Sequence, residues 1–330
     1  MMNDAIILTL AYPETIVMVA EEWYSPYLKY FGIGKQDYVR AGHAAMVLIN
    51  KQTGELEYHD FGRYITPEPT GRVRGKLTDN ELDFPLKATI INDDIENLDE
   101  ILSFLGTHPK LTHGDGILLA SVCKRVDYKK AKLHIKNMQH KFFIYYAAFK
   151  KDACNCARFV TDALIAGVTC DGIRKQLKRS KWFTPSTVGN VIIANTENQV
   201  FKVDETGEIS TFKGSQTSEN IRCFLDRLKN HTPNLIGTQL PKPIHGISEN
   251  AQWLSGIAAG AWFELIDLDE ECQFEFRRIS PYGNIDVHAT FLVDDKAFDY
   301  YAQWEFVHYS NCSYFHVKQK DKVYRFDRLD

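Results

Sequence analysis

The stretch DACNCARFVTDALIAG, residues 152–167, sets two cysteines two positions apart at the head of an apolar-periodic segment. A thiol attacks only as thiolate, and the open backbone N–H groups of a helix N-terminus favour that form. Asn155 is of N-cap type, which puts Cys156 in the first helical turn and Cys154 just ahead of it. Cys156 is therefore the better nucleophile candidate, and the same free amides, with Asn155 beside them, suit an oxyanion. The competing reading is a small buried core thiol. A second residue shifts the balance toward chemistry. His43 follows Gly42 at the head of the apolar run HAAMVLI, an odd place for a histidine chosen by packing alone. A nucleophilic cysteine needs such an imidazole from elsewhere in the chain.

The third group of such a site orients the imidazole. With residues 51–54 as a turn, the returning strand brings YHDFGR beside His43, in a register open by one residue. That leaves His59 and Asp60 as candidates. Asp60 is preferred because it accepts from an imidazole N–H at any pH near neutral; an outward-facing polar residue is the competing reading for both. GHAAMVLI early, then NCARFVTDAL more than a hundred residues later, resembles the circularly permuted papain-like enzymes. These are the permuted branch of the NlpC-type superfamily, with YiiX-type proteins and the lecithin:retinol acyltransferase group. Through DFGRYITP, GRVRG and NCARFVTD the chain also resembles a Bacteroidetes-type family of uncharacterised proteins. The resemblance implies a thiol hydrolase (peptidase or amidase), or an acyltransferase, acting on amide or ester substrates through an acyl-enzyme. Cys156 would be its nucleophile, His43 its base, and Asp60 or His59 the orienting group. The alternative is an inactive papain-like protein whose β domain binds a peptide, glycan or protein partner.

The elements that must position these residues can be read around them. AIILTLAY and ETIVMVA read as β segments, EWYSPYLKYFG as a short helix, and GHAAMVLINKQTGELEYHDFGRYI as a hairpin. TPEPTGRVRGKLTDN reads as a loop, DDIENLDEILSFLGTH as a helix, GILLASVCKRVD as a strand and DYKKAKLHIKNMQHK as a helix. Phe159, Val160, Ala163 and Leu164 make one apolar stripe after Cys156, and Gly167 ends it. GIRKQLKRSKW is expected as a solvated helix face. TVGNVIIANTENQVFKVDETGEISTFKG reads as short strands, SENIRCFLDRLKNH as a helix, and TPNLIGTQLPKPIHGISENAQ as a connector. In WLSGIAAGAWFEL the small residues between aromatics point to close backbone packing or a ligand cleft, and the alternating, aromatic remainder reads as β. The expected fold is α+β. A permuted papain-like core, an antiparallel sheet packed on helices, occupies residues 1–182. A connecting segment follows over 183–240, and a mostly β domain over 241–330.

Bulk properties narrow the function. The 330 residues carry a net charge of -4, which argues against nucleic acid or an anionic membrane as partner. A peptide or small amide or ester substrate is expected instead. CNC is not a zinc spacing, and no P-loop, dinucleotide fingerprint or G-x-S-x-G elbow is present, so neither metal nor cofactor is expected. Asp4 and Pro13 spoil the apolar N-terminus as a signal peptide. Seven irregularly spaced cysteines fit reduced thiols, and a cytoplasmic location is the expectation.

Overall fold

Residues 5–12 are almost wholly apolar and form strand β1 (Ala5–Tyr12), buried at every position. A strand apolar on both faces must sit between two layers, and this one does. It lies inside an eight-stranded sheet with β2 (His43–Asn50), β3 (Leu56–Gly62), β4 (Thr70–Arg74), β5 (Leu118–Val126), β6 (Ile144–Tyr145), β7 (Phe201–Val203) and β8 (Ile209–Thr211). The spatial order is β6-β4-β3-β2-β1-β5-β7-β8. The pairings of β2 with β1 and β3, of β3 with β4, and of β5 with β1 and β7 are antiparallel. The structure, a computed structural model, describes residues 3–329 other than 21, 36–37, 67–68, 231–239, 257–258, 282, 309 and 311.

The helices of the same part of the chain are α1 (Leu98–Thr107), α2 (Pro109–Thr112), α3 (Tyr128–Gln139), α4 (Cys156–Gly167), α5 (Asp171–Ser180), α6 (Thr187–Ile193) and α7 (Gln216–Phe224). Alternation along β2 divides the core. Ala44, Met46 and Leu48 pack with Ile135 of α3 and Phe159, Val160, Ala163 and Leu164 of α4. Ala45, Val47 and Ile49 pack with Ile101, Leu102 and Leu105 of α1. The sheet is thus covered by helices on both faces, and one-residue slips are forbidden because they would exchange the two sets.

Two readings change here. TPEPTGRVRG is not all loop, because Thr70–Arg74 pairs with β3 as a strand with Arg74 buried. The opening of TVGNVIIANT is helix α6 rather than strand: Ser186 accepts from the Gly189 N–H at 2.8 Å, and Val188 and Val191 bury against Ala11 and Leu119. Local β preference yields to a cap and a core to fill. The EWYSPYLKYFG helix is a 3₁₀ segment, Ser25–Phe31. Among the described residues, no helix is long and apolar enough to cross a membrane.

The chain divides into two units, one of residues 1–62, 72–74 and 82–233, the other of 63–71, 75–81 and 234–330. Residues 183–230 therefore belong with the sheet just described rather than to a connector, and the first eight residues of TPNLIGTQLPKPIHGISENAQ lie outside the described residues. The second unit is mostly β. Its strands are β9 (Gln252–Gly256), β10 (Ala259–Glu270), β11 (Gln273–Ile279), β12 (Ile285–Val293), β13 (Glu305–Val307), β14 (Tyr314–Gln319) and β15 (Lys322–Arg328). They form one antiparallel sheet in the order β9-β10-β11-β12-β15-β14-β13. Its core is aromatic, with Phe315 stacked between Phe276 at 4.4 Å and Phe326 at 4.6 Å. The small residues of WLSGIAAGAWFEL serve close packing: a Cβ on Gly256 would lie 2.5 Å from the Arg63 carbonyl oxygen.

One buried charge cluster in this unit leads to a pH prediction. Arg278 of β11 donates to the Cys312 thiol at 2.9 Å and faces Glu81 at 3.5 Å, Asp79 at 3.6 Å and Asp286 at 3.9 Å. Burial first, then Glu81 and Asp79, push the Asp286 carboxyl from 3.8 up to about 7, against the pull of Arg278. The folded unit keeps this proton where the unfolded chain has released it, so the cluster's contribution to stability falls as pH rises from 3.8 to about 7. Asp286→Asn is expected to flatten that slope in urea melts across this range. An unchanged slope would assign it to another group.

Candidate active site

Helix α4 begins where the sequence places its cap. Asn155 is extended, and its side-chain oxygen accepts from the Arg158 N–H at 2.9 Å. Its amide nitrogen donates to the Ala147 carbonyl at 3.4 Å, so the side chain serves the helix end and the preceding loop rather than reaching for a ligand. Cys156 is the first helical residue, where its backbone N–H has no partner within the helix. Asn155→Ala is expected to lower the melting free energy by about 1 kcal/mol. Chemical denaturation of the purified variant checks it.

The two cysteines are sorted by their surroundings. Burial pushes the Cys154 thiol up to about 12, and it donates to the Asn155 carbonyl at 3.4 Å. It is a protonated, enclosed thiol. Cys156 lies within hydrogen-bonding reach of the His43 ring.

His43 opens β2 directly after Gly42, whose φ of +76° turns the chain into the strand. A Cβ at Gly42 would meet the Tyr12 carbonyl oxygen at 3.0 Å and the Thr187 hydroxyl at 3.1 Å, so the turn admits only glycine. The imidazole stacks beside Tyr12, with ring centroids 6.4 Å apart. Its Nε2 meets Asp60 Oδ2 at 3.0 Å, which leaves Nδ1 as the nitrogen for the thiol. Asp60 stands opposite Ala45, two residues along from His43 and hence on the same face.

Asp60 is wholly buried and fully hydrogen-bonded. Arg74 grips it bidentately, Nε to Oδ1 at 3.0 Å and Nη2 to Oδ2 at 2.7 Å, and the Tyr58 hydroxyl donates to Oδ2 at 3.2 Å. Burial alone would raise its pKa, but Arg74 and His43 hold the carboxyl far below the usual carboxylate range. The effect passes to the ring. Burial alone would lower His43, yet the hydrogen bonds to Asp60 and Cys156 raise it to about 9. At neutral pH the ring is an imidazolium, and it sits beside a cysteine in the first turn of a helix.

The other candidate for the orienting role, His59, is not part of this group. As the neighbour of Asp60 it points to the opposite face of β3. There its Nδ1 sits 3.1 Å from the Arg74 carbonyl and its Nε2 3.7 Å from Glu57. Glu57 also accepts from Tyr128 and Lys132 of α3. Burial opposes ionisation of Glu57, but His59, Lys132 and Tyr128 hold it down at about 2. Arg74 and Tyr58 were not singled out in the sequence. The signal for Arg74 was GRVRG itself, an alternating run with two cations, masked by the prolines and glycines around it.

Residues 7–173 match the family described as type VI secretion system effector TseH-like, and residues 251–329 match the DUF6695 C-terminal domain. Among solved structures, the crystal structure of the type VI secretion system effector TseH aligns at 19% identity. It covers 64% of this chain and 99% of that one, with a TM-score of 0.45. No curated protein matches.

Proposed function

This chain belongs to the type VI secretion system effector TseH-like family, and on that premise we propose that it is a thiol hydrolase, a peptidase or amidase working through an acyl-enzyme. The observation that carries this reading is the buried chain Arg74–Asp60–His43, which ends at a cysteine in the first turn of a helix. Cys156 Sγ attacks the substrate carbonyl carbon, and its electron pair forms the C–S bond. The carbonyl oxygen takes the charge, beside the unpaired N–H groups at the start of α4. His43 then gives its proton to the leaving amine or alcohol as the carbon–heteroatom bond breaks. The neutral ring next removes a proton from water, whose oxygen bonds to the thioester carbon; the C–S bond then breaks, the acid leaves, and Cys156 Sγ returns as thiolate beside the reprotonated ring. An alcohol or amine in place of that water would make the same intermediate an acyl donor.

The order of the site along the chain, imidazole strand first and thiol helix last, supports the permuted papain-like reading. The irregular cysteines, all seven free, fit synthesis in the cytoplasm, and the family's name as a secretion system effector is compatible with later secretion. The first test is iodoacetamide alkylation at pH 7 with sites read by peptide mass. Cys156 should react at least about tenfold faster than Cys154, whose thiol is protonated and enclosed. Equal rates, with the site loosened in mild denaturant to exclude shielding, would remove the nucleophile.

A further inference from the structure

A line of exposed aromatic rings that no core requires runs past the loop that precedes helix α4. Trp23 is 78% exposed, Phe183 77% and Trp182 87%, values unusual for rings of this size unless they meet something. Trp23 and Phe183 belong to one run of touching rings, and Trp182 adjoins Phe183 in sequence. Trp23 meets Tyr24 edge-on at 5.9 Å, Tyr24 meets Phe149 at 5.2 Å, and Phe149 meets Phe183 at 4.8 Å. The line is tied to both halves of the site. Glu22 accepts from the Ala148 and Phe149 amides, and Ala147 accepts from Asn155, the cap before Cys156. At the other end the segment after Phe183 reaches Thr187, whose hydroxyl packs on Gly42, the residue before His43. The rings therefore run from the loop before the nucleophile to the segment that leads into Thr187, the neighbour of the base's turn.

We propose that this aromatic line is a substrate subsite, taking a large apolar group attached next to the scissile carbonyl of an amide or ester. The assignment rests on the Cys156–His43 reading and adds the substrate class to it. Rings held edge-to-face leave their faces open for an apolar side chain or aryl group, and the tie from Phe149 through Ala147 to the Asn155 cap sets that group on the Cys156 side of the substrate.

The test uses two alkylating probes, iodoacetamide and N-phenyl iodoacetamide. With either, Cys156 Sγ forms the S–C bond as the C–I bond breaks and iodide leaves. Rates at Cys156 are read by peptide mass and divided by each probe's rate with free glutathione. The normalised N-phenyl to iodoacetamide ratio should be about tenfold in the native protein, the scale of one well-placed aromatic contact. Phe183→Ala and Trp182→Ala, each at an exposed position, should bring the ratio toward one, while Phe183→Tyr should keep it. Because both rates come from the same thiol, a general change in its reactivity cancels. A ratio near one in the native protein, or one unmoved by both alanine variants, overturns the subsite while leaving an iodoacetamide-reactive Cys156 in place. If the native ratio is one and sedimentation gives twice the chain mass, the rings are covered by a second copy instead. If neither probe reacts at Cys156, the nucleophile and the subsite fall together.

Discussion

Cys156→Ser is expected to lower hydrolysis of a p-nitrophenyl ester at least about a thousandfold while leaving the thermal melt within a degree or two. The size of the effect follows from the state of His43. With the ring holding its proton up to about pH 9, it is already an acid at pH 7 and has no lone pair at Nδ1 to take a proton from a hydroxyl. A thiol is acidic enough to lose its proton to solvent and attack as thiolate beside that cation; a serine hydroxyl is not. The same argument sets the companion result. His43→Ala removes the cation beside the sulfur, so alkylation of Cys156 at pH 7 should slow about tenfold or more. Residual turnover in Cys156→Ser equal to the native rate would sink the acyl-enzyme. A native alkylation rate in His43→Ala would remove His43 from the site without touching the thiol. Cys156→Ser should keep the fold because it changes one atom at a helix start, whereas His43→Ala also removes the charge paired with Asp60 and should lower the melt.

What the sequence made legible was local. A cap residue before an apolar stripe locates the start of α4 to the residue, and a polar residue opening a wholly apolar strand marks the head of β2. The choice between His59 and Asp60 was not local. It depends on a register in which one residue exchanges faces, and only the pairing of Ala45 with Asp60 decides it. Arg74 was hidden for a further reason. Strand β4 is short, bounded by glycine and rich in cations, which reads as a surface turn; the Arg74 side chain is buried where Asp60 and the Leu111 carbonyl receive it. Helix α6 was misread because Val188, Val191 and Ile192 favour strands locally. The cap at Ser186 and the surface offered by Ala11 and Leu119 override that preference. The exposed rings were visible as letters in EWYSPYLKYFG and KRSKWF, but no periodicity could say that they would meet one another.

Arg74 is where stability and chemistry meet, and Arg74→Met should show both. Removing the guanidinium leaves the Asp60 charge wholly buried without its two-point cationic partner, a change that costs about 3–5 kcal/mol. Arg74→Lys should recover little, because a single ammonium cannot reproduce the two-point grip on Oδ1 and Oδ2. The double variant Arg74→Met with Asp60→Asn should be more stable than Arg74→Met alone, since it removes the stranded charge, and urea melts of the four proteins close the cycle. The pH dependence separates the Asp60–His43 pair from mere packing. His43 holds its proton to about 9 in the folded protein and to about 6.5 unfolded, so its contribution is complete below pH 6.5 and is lost as pH rises through 9. Asp60→Asn takes away the partner that raises the ring. The decline in stability between pH 6.5 and 9 should therefore shrink in that variant. If the native protein and Asp60→Asn lose stability in parallel over this range, Asp60 does not hold the ring's charge and the Arg74 clamp acts on packing alone.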